Sequence, residues 1–335
     1  MRVLVTGGAG FIGSHIVEHH LSRGDQVLAL DNLSTGSEAN IAPFLRDDNF
    51  RFQRGDLLSW TDLRSAVAWS ERIYHMAAVV GMFHVLERPA ETLRTNIDGC
   101  ERVLYEARRT GGTAELVVAS SSSVYGKQST DRMREECDIT ISPGEALANY
   151  ALSKLTNELQ SAAYAQKNGI KVVCVRLFNT IGPRQSGMYG FVVPRFVQQA
   201  LAHEPITVFG DGTQTRSFCD VRDIVAMLDQ LACTPAAYGK VVNVGQSREV
   251  TIQALAELVR SRCNSRSELK YIPYAQAYNK DFAQIPQRRP VLDRLHGLIH
   301  FRHAWSLERT IDDLVERRRV ASVQRRVSEP ATLRA

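Results

Sequence analysis

The chain has 335 residues, 44% of them hydrophobic and 23% charged, with a formal net charge of +5. That apolar content suffices for two sub-domains sharing a buried core and excludes an intrinsically disordered chain. The sequence enters a strand-like run at once, "MRVLVTGG", with no charged leader, cleavage site or long apolar segment, so a cytoplasmic protein without membrane contact is expected.

Six cysteines lie far apart, with no C-x-x-C pair and no zinc-like spacing, which predicts reduced thiols and no metal site. Cys174, inside the apolar run "VVCVRLF", reads as a small buried hydrophobe rather than a nucleophile. The C-terminus carries six arginines in "ERRRVASVQRRVSEPATLRA" without interleaved aromatics. Residues 319–335 are therefore expected to form a disordered basic tail, and no nucleic-acid partner is expected.

In chain order, strands are predicted at residues 2–6, 26–31, 50–56, 72–78, 115–120 and 171–178. Helical patterns fall between them, notably "IVEHHLSRG", "AETLRTNIDGCERVLYEARRTG" and "NYALSKLTNELQSAAYAQKNG", the last two stopping at glycine. Such alternation predicts an α/β fold, a Rossmann-type doubly wound parallel sheet. After residue 178 short strands and separate helices follow, read as a smaller C-terminal α/β substrate domain. The expected division is 1–178 for a dinucleotide domain and 179–318 for a substrate domain interleaved with it.

The first strand runs into "TGGAGFIG", with Gly7, Gly10 and Gly13 where a chain must turn sharply, approach a pyrophosphate and pack a helix on a sheet. The second strand ends at Asp31, placed to bind the ribose hydroxyls of adenosine. Its charge would repel a 2′-phosphate, so NAD is expected rather than NADP. Asp56 of "RGDLLS" would serve the adenine amino group.

Further on, "NYALSK" sets Tyr150 and Lys154 four apart on one helix face. Tyrosine has a pKa of about 10, and a neighbouring ammonium together with a positive nicotinamide ring would lower it enough to make a general base.

With the motifs "TGGAGFIG", "DNLSTG", "GDL", "HMAA", "TN", "SSSSVYG", "YALSK", "RLFNTIGPRQ", "ITVFGDGTQTRSFCDVRDIV" and "VNVG", residues 1 to 315 resemble the extended short-chain dehydrogenase/reductase family, in its nucleotide-sugar epimerase and dehydratase branch. The resemblance implies that Tyr150 takes the proton of a sugar hydroxyl, that Lys154 holds the nicotinamide ribose and that Ser121 bonds the reacting oxygen, with Ser122 a weaker partner. It adds Phe11, Ile12, Asn32, Ser34, Gly36, Leu57, Ala77, Ala78 and Asn96 to the cofactor residues. For the nucleotide diphosphate it implies Asn179, Val193 of "YGFVVPRF", Arg216 of "TQTRSF" and Arg288 of "QRRPVLDRL". A homodimer through the helices near 89–110 and 150–168 is also implied.

The four serines of "ASSSSVYG" then bear on the reaction. Relatives that dehydrate carry an Asp-Glu pair before "VYG", and relatives that decarboxylate carry a glutamate at the second of those positions; here Ser122 and Ser123 stand there. An unactivated serine is neither a useful acid nor a useful base at neutral pH. The expected reaction is therefore NAD-dependent 4-epimerisation of a UDP-hexose or derivative, through a transient 4-keto sugar. The loop "VVGMFHVLERP", mostly apolar, would let that sugar turn over; His84 within it is not counted as catalytic. The alternatives are UDP-glucuronate decarboxylation or 4,6-dehydration and, in another class, a non-catalytic NAD-binding regulator.

Overall fold

The computed structural model describes residues 1–126, 132–145, 147–187, 191–277 and 287–328, without the side chains of Phe83 and of residues 322–328. Its centre is one parallel sheet of seven strands: β1 (Arg2–Thr6), β2 (Gln26–Asp31), β3 (Phe50–Arg54), β4 (Arg72–His75), β5 (Glu115–Ser121), β6 (Val172–Leu177) and β7 (Val241–Val244). They lie in the order β7-β6-β5-β4-β1-β2-β3, so the winding direction reverses at β1.

Successive side chains of a strand point to opposite faces, and both faces here are covered. Val3 and Val5 join the apolar cluster on one side, with Ile16 and Val17 of helix α1 (Phe11–Leu21). Leu4 joins the other, with Ala66 and Val67 of α2 (Leu63–Trp69). The short α3 (Met82–Glu87) is followed at once by α4 (Pro89–Arg109), which places Val103 and Leu104 in that second cluster. Alongside α4 runs α5 (Ala148–Asn168). Pro89 opens α4 where its missing N–H costs nothing, and Gly169, at φ 67°, ends α5 in the left-handed region.

A third apolar cluster lies outside the sheet. It joins α6 (Val192–Leu201), the parallel strands Ile206–Phe209 and Leu269–Ile272, α8 (Ile252–Arg262) and α9 (Leu307–Ser328) through Phe196, Val208, Leu255 and Ile311. Between these pieces the chain returns to the sheet. Helix α7 (Val221–Ala232) covers the α1 face with Ile224 and Leu228, and β7 pairs with β6.

Two expectations need correction. The strand at 72–78 ends at His75, and the apolar loop after it winds into α3. The tail does not begin at 319, because α9 continues to Ser328; residues 329–335 lie outside the described residues. An Arg317–Asp313 pair at 3.0 Å, one turn apart, and a hydrogen bond from Arg319 to the Cys263 carbonyl oxygen at 3.1 Å hold the helix as far as residue 319, which composition alone did not reveal. Among the described residues no helix is long and apolar enough to cross a membrane.

Candidate active site

A cleft of about 1010 Å³ opens at the carboxyl ends of the strands, beside the reversal at β1. It sits at the top of the range for a single small-ligand pocket. Its floor is the glycine turn. Gly7 has φ +74°, and a Cβ on it would meet the Ala77 backbone nitrogen at 2.7 Å. A Cβ on Gly13 would meet the Gly7 carbonyl oxygen at 2.0 Å. Gly10 precedes α1, whose first residues, Phe11 and Ile12, also line the cleft. No acidic side chain occupies the first turn, so its free N–H groups face the cleft as an anion cradle.

Asp31 closes β2 with both oxygens engaged, accepting from the Ala9 N–H at 3.0 Å and the Leu33 N–H at 2.8 Å. Burial raises its pKa, and the N–H groups of Leu33, Ala9 and Gly10 oppose the rise. A Cβ on Gly36 would come within 2.9 Å of both carboxylate oxygens, so that loop packs directly on Asp31. Asn32, Ser34, Asp56 and Leu57 line the same end, and Ala77 and Ala78 form the wall above β4. Asp56 is held by the Leu58 N–H at 2.8 Å.

Asn96 is the exception among the expected cofactor residues, being fully buried and outside the cleft lining. Its amide oxygen accepts from the Val79 N–H at 2.7 Å, and its amide nitrogen donates to the Val79 carbonyl at 3.3 Å and to Ser153 Oγ at 3.0 Å. It positions the lip of the cleft from behind. A "TN" pattern in the sequence cannot distinguish a ligand contact from a side chain that ties down one.

At the opposite wall the Tyr150 hydroxyl is hydrogen-bonded to Ser121. Lys154 Nζ donates to the Ala119 carbonyl oxygen at 2.8 Å, and burial pulls its pKa down to about 8. Burial raises the Tyr150 pKa, while the groups that pull it back are the Ser121 hydroxyl and the Arg288 guanidinium. Without further positive charge in the cleft, Tyr150 is held as a phenol.

The serines divide by direction, as alternation along a strand requires. Ser120 also lines the cleft, but its Oγ donates to the buried Glu158 at 2.5 Å, and Glu158 takes two hydrogen bonds from Arg176, at 2.9 and 2.8 Å. Ser121 meets Tyr150 and accepts from the Ser123 N–H at 3.1 Å, so one oxygen caps the turn and faces the base. Ser122 is buried at 3% exposure, and both it and Ser123 border the cleft. Among the described residues the only carboxylates lining it are Asp31 and Asp56, both at the end distant in the fold from Tyr150.

The remaining wall comes from the C-terminal part. Asn179 donates to the Ser217 carbonyl oxygen at 2.9 Å, Val193 lies at the start of α6, and Arg216 and Arg288 both border the space. Burial lowers the Arg288 pKa to about 10, with the Arg216 guanidinium as the next cause, so two cations are packed together there. That is an arrangement an anion would relieve. The neighbouring Arg289 instead turns to Glu249 at 3.8 Å, which makes Arg288 the inward arginine of "QRRP".

Sequence reasoning missed Arg184, Arg195 and Tyr274, which also line the cleft. Arg195 stacks on the Phe209 ring at 3.8 Å. Arg184 is turned outward, with Nη1 on the Ser14 carbonyl at 3.0 Å and Nη2 on Glu18 at 2.6 Å. The arginine in "GPRQ" was visible as motif, but its direction depends on a φ of 65° that no pattern announces.

A Rossmann cleft with a Ser-Tyr-Lys set is that of an NAD-dependent enzyme of the extended short-chain dehydrogenase/reductase type. Residues 3–245 match the family model "NAD dependent epimerase/dehydratase family", and the chain belongs to that family. It is 31% identical over 320 residues to a UDP-N-acetyl-alpha-D-glucosaminuronate decarboxylase of Bacillus cytotoxicus, covering 94% of this chain and 97% of the relative. Among solved structures it is similar to an epimerase of Methanothermobacter thermautotrophicus, with TM-score 0.87, 28% identity and coverage of 98% and 94%. It is also similar to the UDP-glucuronic acid 4-epimerase of Bacillus cereus, determined with UDP-glucuronic acid and NAD, with TM-score 0.82, 25% identity and coverage of 96% and 100%. NAD is the cofactor of this family. The glycine cradle, which any Cβ at Gly7 or Gly13 would fill, and the Asp31 carboxylate fit its pyrophosphate and adenosine ribose.

Proposed function

We propose that this enzyme epimerises C4 of a UDP-hexose or a derivative of one. The observation that carries the reading is the cleft wall around Tyr150, which offers hydroxyls and apolar side chains but, among the described residues, no carboxylate. Bound NAD supplies the hydride acceptor and donor for C4. Ser121 holds the C4 oxygen and Tyr150 takes its proton when the alcohol is oxidised, then returns it when the ketone is reduced from the other face. Lys154 holds the cofactor's ribose, while Arg216 and Arg288 grip the diphosphate around which the keto sugar turns. Val79, Val80 and Met82 border the space with few fixed polar contacts, which permits turning.

Dehydration needs an acid to protonate the leaving C6 hydroxyl, and the lack of a carboxylate there among the described residues argues against it. Against decarboxylation the same absence argues less. Once C4 is a ketone, a C6 carboxylate lies β to it and departs as carbon dioxide with its electron pair delocalised onto the C4 oxygen; only the later protonation of C5 requires a donor. Loss of a C6 carboxylate is therefore the second reading: the cleft wall supports epimerisation, whereas the likeness to a UDP-sugar decarboxylase over nearly the whole chain supports this one.

Incubation with UDP-glucose, UDP-N-acetylglucosamine and UDP-glucuronate in deuterated water, followed by proton NMR, separates the readings. The expected product is the 4-epimer of one of them, with the original proton still on C5 and no net NADH. A UDP-pentose with carbon dioxide and solvent deuterium at C5 would establish the second reading and sink the first.

We further propose a homodimer through α4 and α5, which expose Tyr105, Leu152 and Leu159, the last at 64%. Leu152 and Leu159, seven apart, share a face. Light scattering of the full chain is expected to give a dimer, and Leu152→Glu with Leu159→Glu a monomer that keeps its helical circular dichroism. A double variant that remains dimeric would refute this face as the interface.

A further inference from the structure

Among the described residues one group of three unlike metal-binding side chains lies outside the cleft: Cys219, Asp223 and His303, whose ligand atoms are all within 4.8 Å of one another. Sequence spacing hides it, because 84 residues separate the thiol from the imidazole. Cys219 stands immediately before α7 in the strand Cys219–Asp220, Asp223 lies in the first turn of α7, and His303 belongs to the extended segment leading to α9.

The separations are those of a coordination polyhedron rather than of direct bonds. Cys219 Sγ is 3.8 Å from His303 Nδ1, and His303 Nδ1 is 3.6 Å from Asp223 Oδ2. Around tetrahedral zinc, with Zn–S of about 2.3 Å and Zn–N or Zn–O of about 2.0 Å, neighbouring ligand atoms fall roughly 3.3 to 3.6 Å apart. The two edges that meet at His303 thus lie slightly outside those of such a tetrahedron, and the third, from Cys219 to Asp223, is within 4.8 Å, so a modest contraction around an ion closes the set.

The surroundings fit a built site. Asp223 is aimed by two backbone donors, Ala304 N–H on Oδ1 and Trp305 N–H on Oδ2, both at 3.1 Å, which leaves each oxygen a further lone pair. Trp305 is in turn stacked between Arg222 and Arg309, at 3.2 and 3.9 Å. Both Cys219 and Asp223 are buried, and His303 borders a cavity of about 170 Å³ that also touches Phe218 and Trp305. That cavity provides an entry path and room for a water as fourth ligand.

We propose that Cys219, Asp223 and His303 form a binding site for a single divalent zinc ion. The donor set, one thiolate, one carboxylate and one neutral imidazole, balances the ion's two positive charges and suits a borderline-soft metal over calcium or magnesium. On binding, the Cys219 S–H bond breaks, its proton goes to solvent and sulfur donates its electron pair to the metal, with no change of oxidation state. The ion pins the 299–306 segment to the strand pair that leads to Arg216 and Phe218, both on the cleft wall, so its role is to brace the nucleotide-sugar wall rather than to act on substrate.

The full chain, stripped with a chelator and freed of it, is titrated with zinc against a chromophoric competitor and, separately, with cobalt. One saturable equivalent per chain is expected, and the cobalt form should show a near-ultraviolet thiolate charge-transfer band with the intense visible bands of tetrahedral geometry. Cys219→Ser should lose the charge-transfer band, and both it and His303→Gln should weaken zinc binding by more than about a hundredfold, since loss of outer-shell partners alone costs 10- to 100-fold. Retained NAD and helical circular dichroism in both variants would show that the fold persists. Absence of saturable uptake, or uptake unchanged in the two variants, overturns the proposal.

Discussion

Tyr150→Phe is expected to lower turnover by about a hundredfold or more while leaving NAD content and nucleotide affinity close to those of the parent. Substitution keeps the ring and its packing but deletes the hydroxyl that is bonded to Ser121 at the cleft wall. Burial holds this phenol above its ordinary pKa, and the counteracting groups are Ser121 and Arg288 rather than Lys154. The positive charge that completes its activation must then arrive with ligands, and free enzyme should show no tyrosinate absorbance at neutral pH. Single-turnover oxidation of a UDP-sugar, followed by the absorbance of reduced cofactor, measures the step directly. A variant that reduces its cofactor at near-parental rate would remove Tyr150 from the role of base.

The parts of this molecule that were legible in the sequence are those encoded locally. Strand positions follow from runs such as "RVLVT" and "ELVVAS", because a parallel strand buried on both faces must be apolar throughout. Gly7, Gly10, Gly13 and Asp31 were legible because a turn against a strand end permits few residues. Direction was much less visible. Ser120 and Ser121 are adjacent and identical, yet one bonds Glu158 in the core and the other Tyr150 at the cleft. Asn96 looked like a cofactor residue and turned out to anchor Val79. The cluster of Cys219, Asp223 and His303 has no local signature, since it exists only after the C-terminal segment folds back over α7. Reaction type lies further still from sequence. An absent carboxylate removes one proton donor, but the β-keto acid chemistry of a uronate needs no base to break its bond.

Gly13→Ala should abolish NAD retention and, at the same time, lower stability measurably. The added methyl carbon would lie 2.0 Å from the Gly7 carbonyl oxygen and 2.8 Å from its carbonyl carbon, distances no rotation can relieve because both partners are backbone. Gly7 cannot retreat easily, for its own Cα packs on the Ala77 backbone and its carbonyl accepts the Gly10 N–H at 3.1 Å. The turn must open or α1 must lift from β1, and either motion withdraws the N–H groups of Phe11 and Ile12 at the start of α1 from the pyrophosphate. Overpacking of this kind costs typically 1 to 3 kcal/mol, a shift of about 1 to 4 °C for a chain of this size. Gly297→Ala is the control: nothing lies within 4 Å of its added carbon and it sits in the helix Asp293–Leu298, so stability should hold or rise by up to about 1 kcal/mol with NAD unaffected. Cofactor released on denaturation and the thermal midpoint are read from the same preparations. Full NAD occupancy in Gly13→Ala would mean that the pyrophosphate does not rest on this turn, and the cofactor assignment of Gly7, Gly10 and Gly13 would fall with it.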